Sequence, residues 1–123
     1  MINDIKATAD DVYPGVVTLR RTLHRHPELS GEEHETARRV AERLRDLDLD
    51  VRTGLHETGV LATLDGGRPG PTVMLRGDID ALPIQEETDL DFASENEGVM
   101  HACGHDVHTA SLLGAAMILA EHR

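Results

Sequence analysis

The apolar run Leu112–Ala120, with the sequence LLGAAMILA, constrains the fold of this chain more than any other feature. Drawn as a helix, it is apolar on nearly every side. Such a helix is stable in water only when other elements cover it on more than one side. We therefore expect a sheet beneath it and further structure beside it, and the rest of the chain has to supply both.

Two amphipathic helices are predicted upstream of this run. In the first, Asp10 and Asp11 are expected to cap the N-terminus, Pro14 lies in the first turn, and the helix ends at 24–27. Its apolar residues recur at helical spacing: Val12, Val16, Leu19 and Leu23. The pattern predicts one buried stripe.

The second helix is predicted to begin at a capping box formed by Ser30 and Glu33. Its apolar face comprises Ala37, Val40, Ala41, Leu44 and Leu47. The opposite face carries alternating acidic and basic side chains, which is typical of a solvated helix surface. From about Val51 the pattern changes to short apolar runs separated by turns. This predicts up to three neighbouring strands, the first near Val51, the second at Val60–Leu64 and the third at Val73–Leu75.

Length and charge limit the function classes. A chain of 123 residues fits one small domain over positions 1–123. Its net charge of -11 argues against a nucleic-acid partner, because such partners require clustered Lys and Arg. A single cysteine cannot form an internal disulfide, and no apolar run is long enough to cross a membrane. We expect a cytoplasmic protein without a membrane partner.

The segment 100–109 concentrates residues that bind metals. It holds His101, Cys103, His105 and His108, and Cys103 is the only cysteine of the chain. In an extended backbone, residues two apart project to the same side, so Cys103 and His105 could face one ion across Gly104. Thiolate and imidazole are good ligands for zinc and its first-row neighbours. We expect Cys103 and His105 to be metal ligands.

Other interpretations of these residues remain open at this point. Cys103 could be a small buried hydrophobe or, paired with a histidine, a catalytic thiol. A structural zinc finger is excluded, because it needs two separated pairs of ligands. His101 and His108 could support the metal site or serve structure. The other histidines have no comparable neighbours, and we expect them at the surface: His24, His26, His34, His56 and His122.

Two carboxylates follow the third predicted strand. Asp78 and Asp80 are two apart, so they would share one side of the chain at the end of that strand, where ligand sites of α/β sheets lie. A carboxylate there can orient a metal-bound imidazole. The alternative is that both residues only cap a turn.

Taken together, these motifs resemble the N-terminal part of the metal-dependent amidohydrolases related to hippurate hydrolase, N-acyl-amino-acid deacylases and auxin-conjugate hydrolases, within the aminoacylase and carboxypeptidase family. The resemblance covers nearly the whole chain. It rests on Leu23-His24, Pro27-Glu28-Leu29-Ser30, Thr58-Gly59-Val60, the run Leu75–Ile84, and the run Met100–Asp106 followed by His108-Thr109-Ala110.

This resemblance implies an α/β fold, the N-terminal part of an α/β/α sandwich of the zinc-dependent exopeptidase type, without the inserted dimerisation domain of that family. It implies hydrolysis of the amide bond of N-acyl amino acids, or of small peptide-like amides, by a water activated by two divalent metal ions: zinc, manganese, nickel or cobalt. Cys103 and His105 would be metal ligands, and Asp80 would be the catalytic carboxylate that supports the site. The longer form would be a homodimer.

The family's pair of glutamates, which supplies the general base and a further ligand, has no counterpart in these 123 residues. We therefore expect positions 1–123 to be a partial metallohydrolase catalytic domain, inactive alone and active within a longer enzyme. The alternative is a truncated, non-catalytic remnant that binds metal weakly or associates with a partner.

Overall fold

The computed structural model describes residues 1–123. It contains the helices α1 (Ile2–Arg25), α2 (His34–Arg45) and α3 (His105–Glu121), and the strands β1 (Asp50–Leu55) and β2 (Gly59–Thr63). The two strands pair antiparallel as a hairpin. Both predicted N-terminal helices, the predicted strands near Val51 and Val60, and the apolar helix are present, so the α/β class is confirmed.

Helix α1 begins earlier than predicted. It starts at Ile2, with Met1 as its N-cap, so Asp10 and Asp11 do not cap it and Pro14 lies in its interior. A proline inside a helix removes one backbone hydrogen bond. Here Pro14 is on the solvent-exposed side of α1, where water can satisfy the carbonyl left unpaired. This location explains why the helix continues through the proline.

The start of α2 also differs from the prediction, because the Ser30 capping box does not form. The helix begins at His34, and the carboxylate that satisfies its first turn belongs to Glu28. Glu28 accepts hydrogen bonds from the backbone N–H groups of Glu35 at 3.1 Å and Thr36 at 2.5 Å. Glu33 instead accepts a bond from the hydroxyl of Thr58 at 2.8 Å. A carboxylate outside the helix therefore does the work of an N-cap.

The segment Val73–Leu75 belongs to no strand, so the third predicted strand is wrong. No backbone–backbone hydrogen bond involves residues 71–76. The side chains of Val73 and Met74 are 77% and 78% exposed. The apolar pattern of a strand is present, but no neighbouring strand pairs with it, and pairing is what stabilises a strand.

Helix α3 packs against α1 and α2, and this packing forms the core. Six buried residues make up the main cluster: Leu19, Leu23, Val40, Leu44, Ala110 and Leu113. Side chains of the hairpin, among them Val51 and Val60, pack against this cluster from the sheet side. Over its N-terminal half α3 is covered by α1 and α2, but the prediction of a sheet beneath α3 is wrong, because the hairpin packs against α2 instead. Further along, Leu119 is about half exposed.

Gly114 allows α3 to approach α1 closely. A Cβ at this position would lie 2.9 Å from Cγ2 of Val16. Val16 is β-branched and stiff within a helix, so it could not move away without cost. By contrast, a Cβ at Gly15 of α1 would meet nothing within 4 Å.

These two glycines provide a matched pair of substitutions. Gly15→Ala is expected to raise the free energy of unfolding by about 0.5–1 kcal/mol, because alanine favours the helix. Gly114→Ala is expected to lower the free energy of unfolding by about 1 kcal/mol, because the steric clash with Val16 costs more than the helix propensity of alanine contributes. Urea unfolding followed by circular dichroism measures both. Equal stabilisation by the two substitutions would contradict the close approach of α1 and α3.

Candidate metal centre

His105 is held by a carboxylate through one ring nitrogen, which leaves the other nitrogen free. Its Nδ1 lies 2.8 Å from Oδ1 of Asp80 and 3.1 Å from the backbone oxygen of the same residue. Its Nε2 makes no hydrogen bond, and the nearest carboxylate oxygen is Oδ2 of Asp78 at 3.8 Å. Both acceptors face Nδ1, so this nitrogen is the donor, and Nε2 keeps a lone pair available for a ligand.

The first turns of α3 bring the two sequence motifs together. The hydroxyl of Thr109 donates to the backbone oxygen of Asp78 at 2.9 Å, one helical turn after the contact between His105 and Asp80. One turn further on, the side chain of Leu112 lies close to Gly77, where a Cβ would come within 3.2 Å of it. One face of α3 therefore lies along the segment 77–80.

Cys103 lies just outside α3 and is exposed. The segment is not extended here as predicted: Gly104 has φ 98° and is the N-cap of α3, and His105 is the first helical residue. Glycine tolerates this left-handed conformation, in which other residues are strained. Gly104 therefore turns the chain between the two predicted ligands, a role that differs from the predicted alternation along a strand.

No group of three or more His, Cys, Asp or Glu side chains is arranged to hold a metal ion. Among the predicted site residues, the structure brings His105 and Asp80 into contact and places Asp78 near them. His108 is exposed, and its ring centroid is 5.6 Å from that of His105. His105 therefore lies beside the two carboxylates, but these residues and Cys103 do not form a group arranged around a metal ion.

His24 is buried, and the prediction that it lies at the surface is wrong. Its Nδ1 lies 2.8 Å from Oδ2 of Asp106, and its Nε2 lies 3.0 Å from Oε1 of Glu86. The same oxygen of Asp106 accepts a bond from Nε of Arg20 at 2.8 Å. Asp106 itself is only 1% exposed. These four residues, Arg20, His24, Glu86 and Asp106, form what we call the buried charge cluster.

The sequence contained one signal for this cluster. His24 is four residues after Arg20 and one after Leu23, so it extends the buried stripe of α1 by a further position. Its partners Glu86 and Asp106 are 62 and 82 residues away in the chain. Local patterning could therefore have suggested that His24 is buried but could not have named its partners.

His101 is the second buried histidine, at 4% exposed, and neither of its ring nitrogens has a hydrogen-bond partner. Burial lowers the pKa of its imidazole below the ordinary value, and the nearby Asp106 carboxylate opposes this effect. The second oxygen of Asp106, Oδ1, is likewise buried without a partner. Buried polar atoms without partners are uncommon, and bound water often satisfies them.

The electrostatics of Glu86 are dominated by two opposing effects. Burial alone would raise the pKa of its carboxyl. The hydroxyl of Thr88, the backbone N–H of Ser94 and the His24 ring all bond to the carboxylate, and together they hold its pKa below the ordinary value of 4.5. The folded protein therefore binds a proton at Glu86 less readily than the unfolded chain does.

Glu86 is accordingly expected to stabilise the fold above its unfolded pKa and to lose this contribution as the pH falls through the folded pKa. Glu86→Gln should be less stable than the wild type near neutral pH, and its free energy of unfolding should fall less steeply below pH 4.5. Denaturant unfolding across a pH series measures the slopes. The neighbouring exposed Glu87→Gln is the control, and a slope equal to that of this control would contradict the assignment.

The chain is similar to known proteins in both sequence and fold. Residues 74–123 match the family described as Peptidase family M20/M25/M40. The chain is 51% identical over 98% of its length to an N-acyl-L-amino acid amidohydrolase of Geobacillus stearothermophilus, of which it covers 32%. It is 44% identical over its full length to thermostable carboxypeptidase 1 of Saccharolobus solfataricus, again covering 32% of that protein.

A solved structure shows the same fold. The Bacillus subtilis YXEP protein, described as a dinuclear metal binding peptidase of the M20 family, superposes with a TM-score of 0.84 at 46% identity. The match covers 96% of this chain and 32% of that one. This chain thus spans about a third of the length of the relatives it matches. No helix is long and apolar enough to span a membrane. The predicted resemblance is confirmed: over nearly its whole length the chain is similar to proteins named as amidohydrolases and peptidases, and its residues 74–123 match Peptidase family M20/M25/M40.

Proposed function

We propose that this chain forms part of a hydrolase that cleaves the amide bond of N-acyl amino acids at a centre holding two divalent metal ions. The observation that carries the proposal is the contact between Asp80 and Nδ1 of His105. Histidines that bind metals commonly donate their other ring N–H to a carboxylate in this way. The names of the similar amidohydrolase and of the dinuclear M20 peptidase support the same reaction and the same kind of centre.

The residues present fit a divalent ion of the first transition row. Nε2 of His105 makes no hydrogen bond, and the exposed Cys103 lies two positions away across the turn at Gly104. Imidazole nitrogen and thiolate sulfur suit zinc, and the oxygens of Asp78 add a harder donor. We propose Cys103 and His105 as ligands, and zinc, manganese, nickel or cobalt as the metals.

Asp80 is the proposed catalytic carboxylate. Asp80 accepts a hydrogen bond from Nδ1–H of His105, which keeps the ring in the tautomer whose Nε2 is unprotonated. The bond also makes the lone pair of Nε2 a better ligand for a metal ion. When bound, the two ions would polarise the scissile carbonyl and make a neighbouring water a stronger acid. Asp80 therefore acts on the site by orienting His105 and by adding negative charge beside it.

The donor set is incomplete within these 123 residues, so we propose that the chain alone is inactive and that a longer polypeptide supplies the remaining ligands and the general base. No group of three or more potential ligands is arranged around an ion within residues 1–123. A hydrolase also needs a base to take a proton from the attacking water and return it to the leaving amine. Positions 1–123 would then be a partial catalytic domain.

The proposed partner is a small N-acyl amino acid, with neither nucleic acid nor membrane as a partner. The net charge of -11 opposes binding to phosphate backbones. The exposed thiol of Cys103 persists most readily in a reducing compartment, which supports a cytoplasmic location. A homodimer of the longer form is proposed from the family resemblance alone.

A second candidate, association of a non-catalytic chain with a partner, is favoured by one observation. Val73, Met74 and Leu75 form an exposed apolar segment without backbone partners. Unpaired apolar strands tend to associate with other chains. Sedimentation and binding of an apolar dye distinguish the candidates, because a monodisperse monomer that binds no dye would contradict association.

Metal binding by the proposed ligands is testable with Co²⁺. Addition of Co²⁺ to the protein is expected to produce the near-ultraviolet absorption of a cobalt–thiolate bond. The substitution Cys103→Ala should abolish this absorption, and His105→Ala should weaken Co²⁺ binding. His34→Ala, at an exposed histidine of α2, is the matched control and should bind as the wild type does. Absorption that survives Cys103→Ala would contradict the ligand assignment.

The proposed inactivity is tested with hippurate as the probe substrate. The 123-residue protein with Co²⁺ or Zn²⁺ is expected to release no more glycine than the Cys103→Ala variant. Metal-dependent release that is lost in this variant and on chelation would show that the chain is active alone. Activity that survives chelation but not alkylation of Cys103 would instead indicate a thiol-dependent hydrolase.

A further inference from the structure

We propose that the pair His24 and Asp106 in the buried charge cluster is a positioning device for His105. This inference rests on the function proposed above, because it concerns how the proposed ligand is aimed. No hydrogen bond joins His24 or Asp106 to the ring of His105. Their effect would pass through the rotation of the first turn of α3 about its axis.

The two faces of that turn have separate contacts. His105 and Thr109 face the segment 77–80 and bond to Asp80 and Asp78. Asp106, the next residue after His105, faces α1 instead, as do the buried Ala110 and Leu113 of the core. Successive residues of a helix point about 100° apart. A rotation that moves Asp106 away from α1 therefore also moves His105 away from Asp80.

Apolar packing alone would fix this rotation poorly at the end of the helix. Ala110 is small, and Leu113 lies two turns from His105. Asp106 is in the first turn itself, and its Oδ2 receives two bonds at 2.8 Å, from His24 and from Arg20. Hydrogen bonds to a buried ionised group are strong and directional. The two bonds fix the rotation of the first turn of α3, which carries His105.

The segment that carries Asp80 is also held by the C-terminal end of α1. The backbone N–H of Ala81 donates to the oxygen of Glu28 at 2.8 Å, just after the end of α1. His24 is in the last turn of α1. The C-terminal end of α1 therefore holds Asp80 through the backbone and His105 through the side chain of Asp106. This common anchor sets the distance between Asp80 and His105.

Two substitutions of His24 separate positioning from packing. In His24→Asn the amide nitrogen occupies the place of Nδ1 and can still donate to Asp106. In His24→Gln the amide nitrogen occupies the place of Nε2, so the bond to Glu86 is kept and the bond to Asp106 is lost. Both substitutions remove the ring, including its edge contact with Phe92 at 5.5 Å. Only the bond to Asp106 should matter for His105.

Co²⁺ affinity is the first measurement. His24→Asn is expected to bind within about twofold of the wild type. His24→Gln is expected to bind at least tenfold more weakly, the lower end of the ~10–100-fold range seen when outer partners of metal ligands are changed. Asp10→Asn on the exposed side of α1 is the control for a charge change. Equal affinities for the two His24 variants, whether both normal or both weakened, would overturn the proposal.

The tautomer of His105 is the second measurement and needs no metal. Nitrogen-15 NMR at a pH where imidazoles are neutral should show one tautomer, protonated at Nδ1, in the wild type and in His24→Asn. His24→Gln should show a mixture. A mixture already present in the wild type would overturn the proposal. If His24→Gln does not fold, Asp106→Asn replaces it, and a single tautomer in a folded Asp106→Asn protein would likewise overturn it.

The two hypotheses fail in different ways. If the wild type shows no cobalt–thiolate absorption, the proposed binding of metal by Cys103 and His105 in this chain is wrong, and the tautomer measurement alone decides the positioning role. If the wild type binds Co²⁺ through Cys103 but both His24 variants retain full affinity, the metal centre stands and the positioning role is wrong.

Discussion

The buried carboxylate of Asp106 is the interaction on which the rest of the structure depends. Removing an ionised carboxylate from water costs several kcal/mol, on the order of the net stability of a small domain, unless hydrogen-bond donors of the protein replace the lost water. Arg20 and His24 supply these donors to one oxygen. Because both donors are on α1 and Asp106 is on α3, the compensation is available only when the two helices are docked. The charge therefore specifies the docking and selects against alternative packings of an otherwise smooth apolar interface.

The residues that follow α1 connect several further segments by hydrogen bonds. Glu28 caps α2 through two backbone N–H groups, and its own backbone oxygen holds Ala81. The backbone oxygen of Pro27 accepts a bond from the side chain of Asn96 at 3.0 Å. The motif around Pro27 and Glu28 thus joins α1, α2 and the segments that carry Asp80. Its residues shape the candidate site without touching it, which gives a physical reason for the motif to accompany the Cys103 and His105 motif in one chain.

Sequence reasoning succeeded where the controlling interactions are local. Periodicity identified the helices. The residue types of Cys103 and His105 made them candidate ligands, and that assignment stays a prediction. It failed where a partner is distant: the cap of α2 comes from Glu28, outside the helix, and the burial of His24 depends on Glu86 and Asp106, far along the chain. The segment Val73–Leu75 has the composition of a strand, but composition does not reveal whether a neighbouring strand is present.

The small size of the core explains why the polar contacts carry so much of the organisation. Six residues form the main cluster, while Val73, Met74 and Leu75 remain exposed. Apolar burial stabilises in proportion to area and is not directional, so a small core holds the helices together but tolerates their rotation and sliding. The contact between His105 and Asp80 requires a more precisely fixed orientation of α3 than such a core provides. The bonds to Asp106 provide it, and the fold therefore separates cohesion, supplied by the leucines, from orientation, supplied by the buried charge cluster.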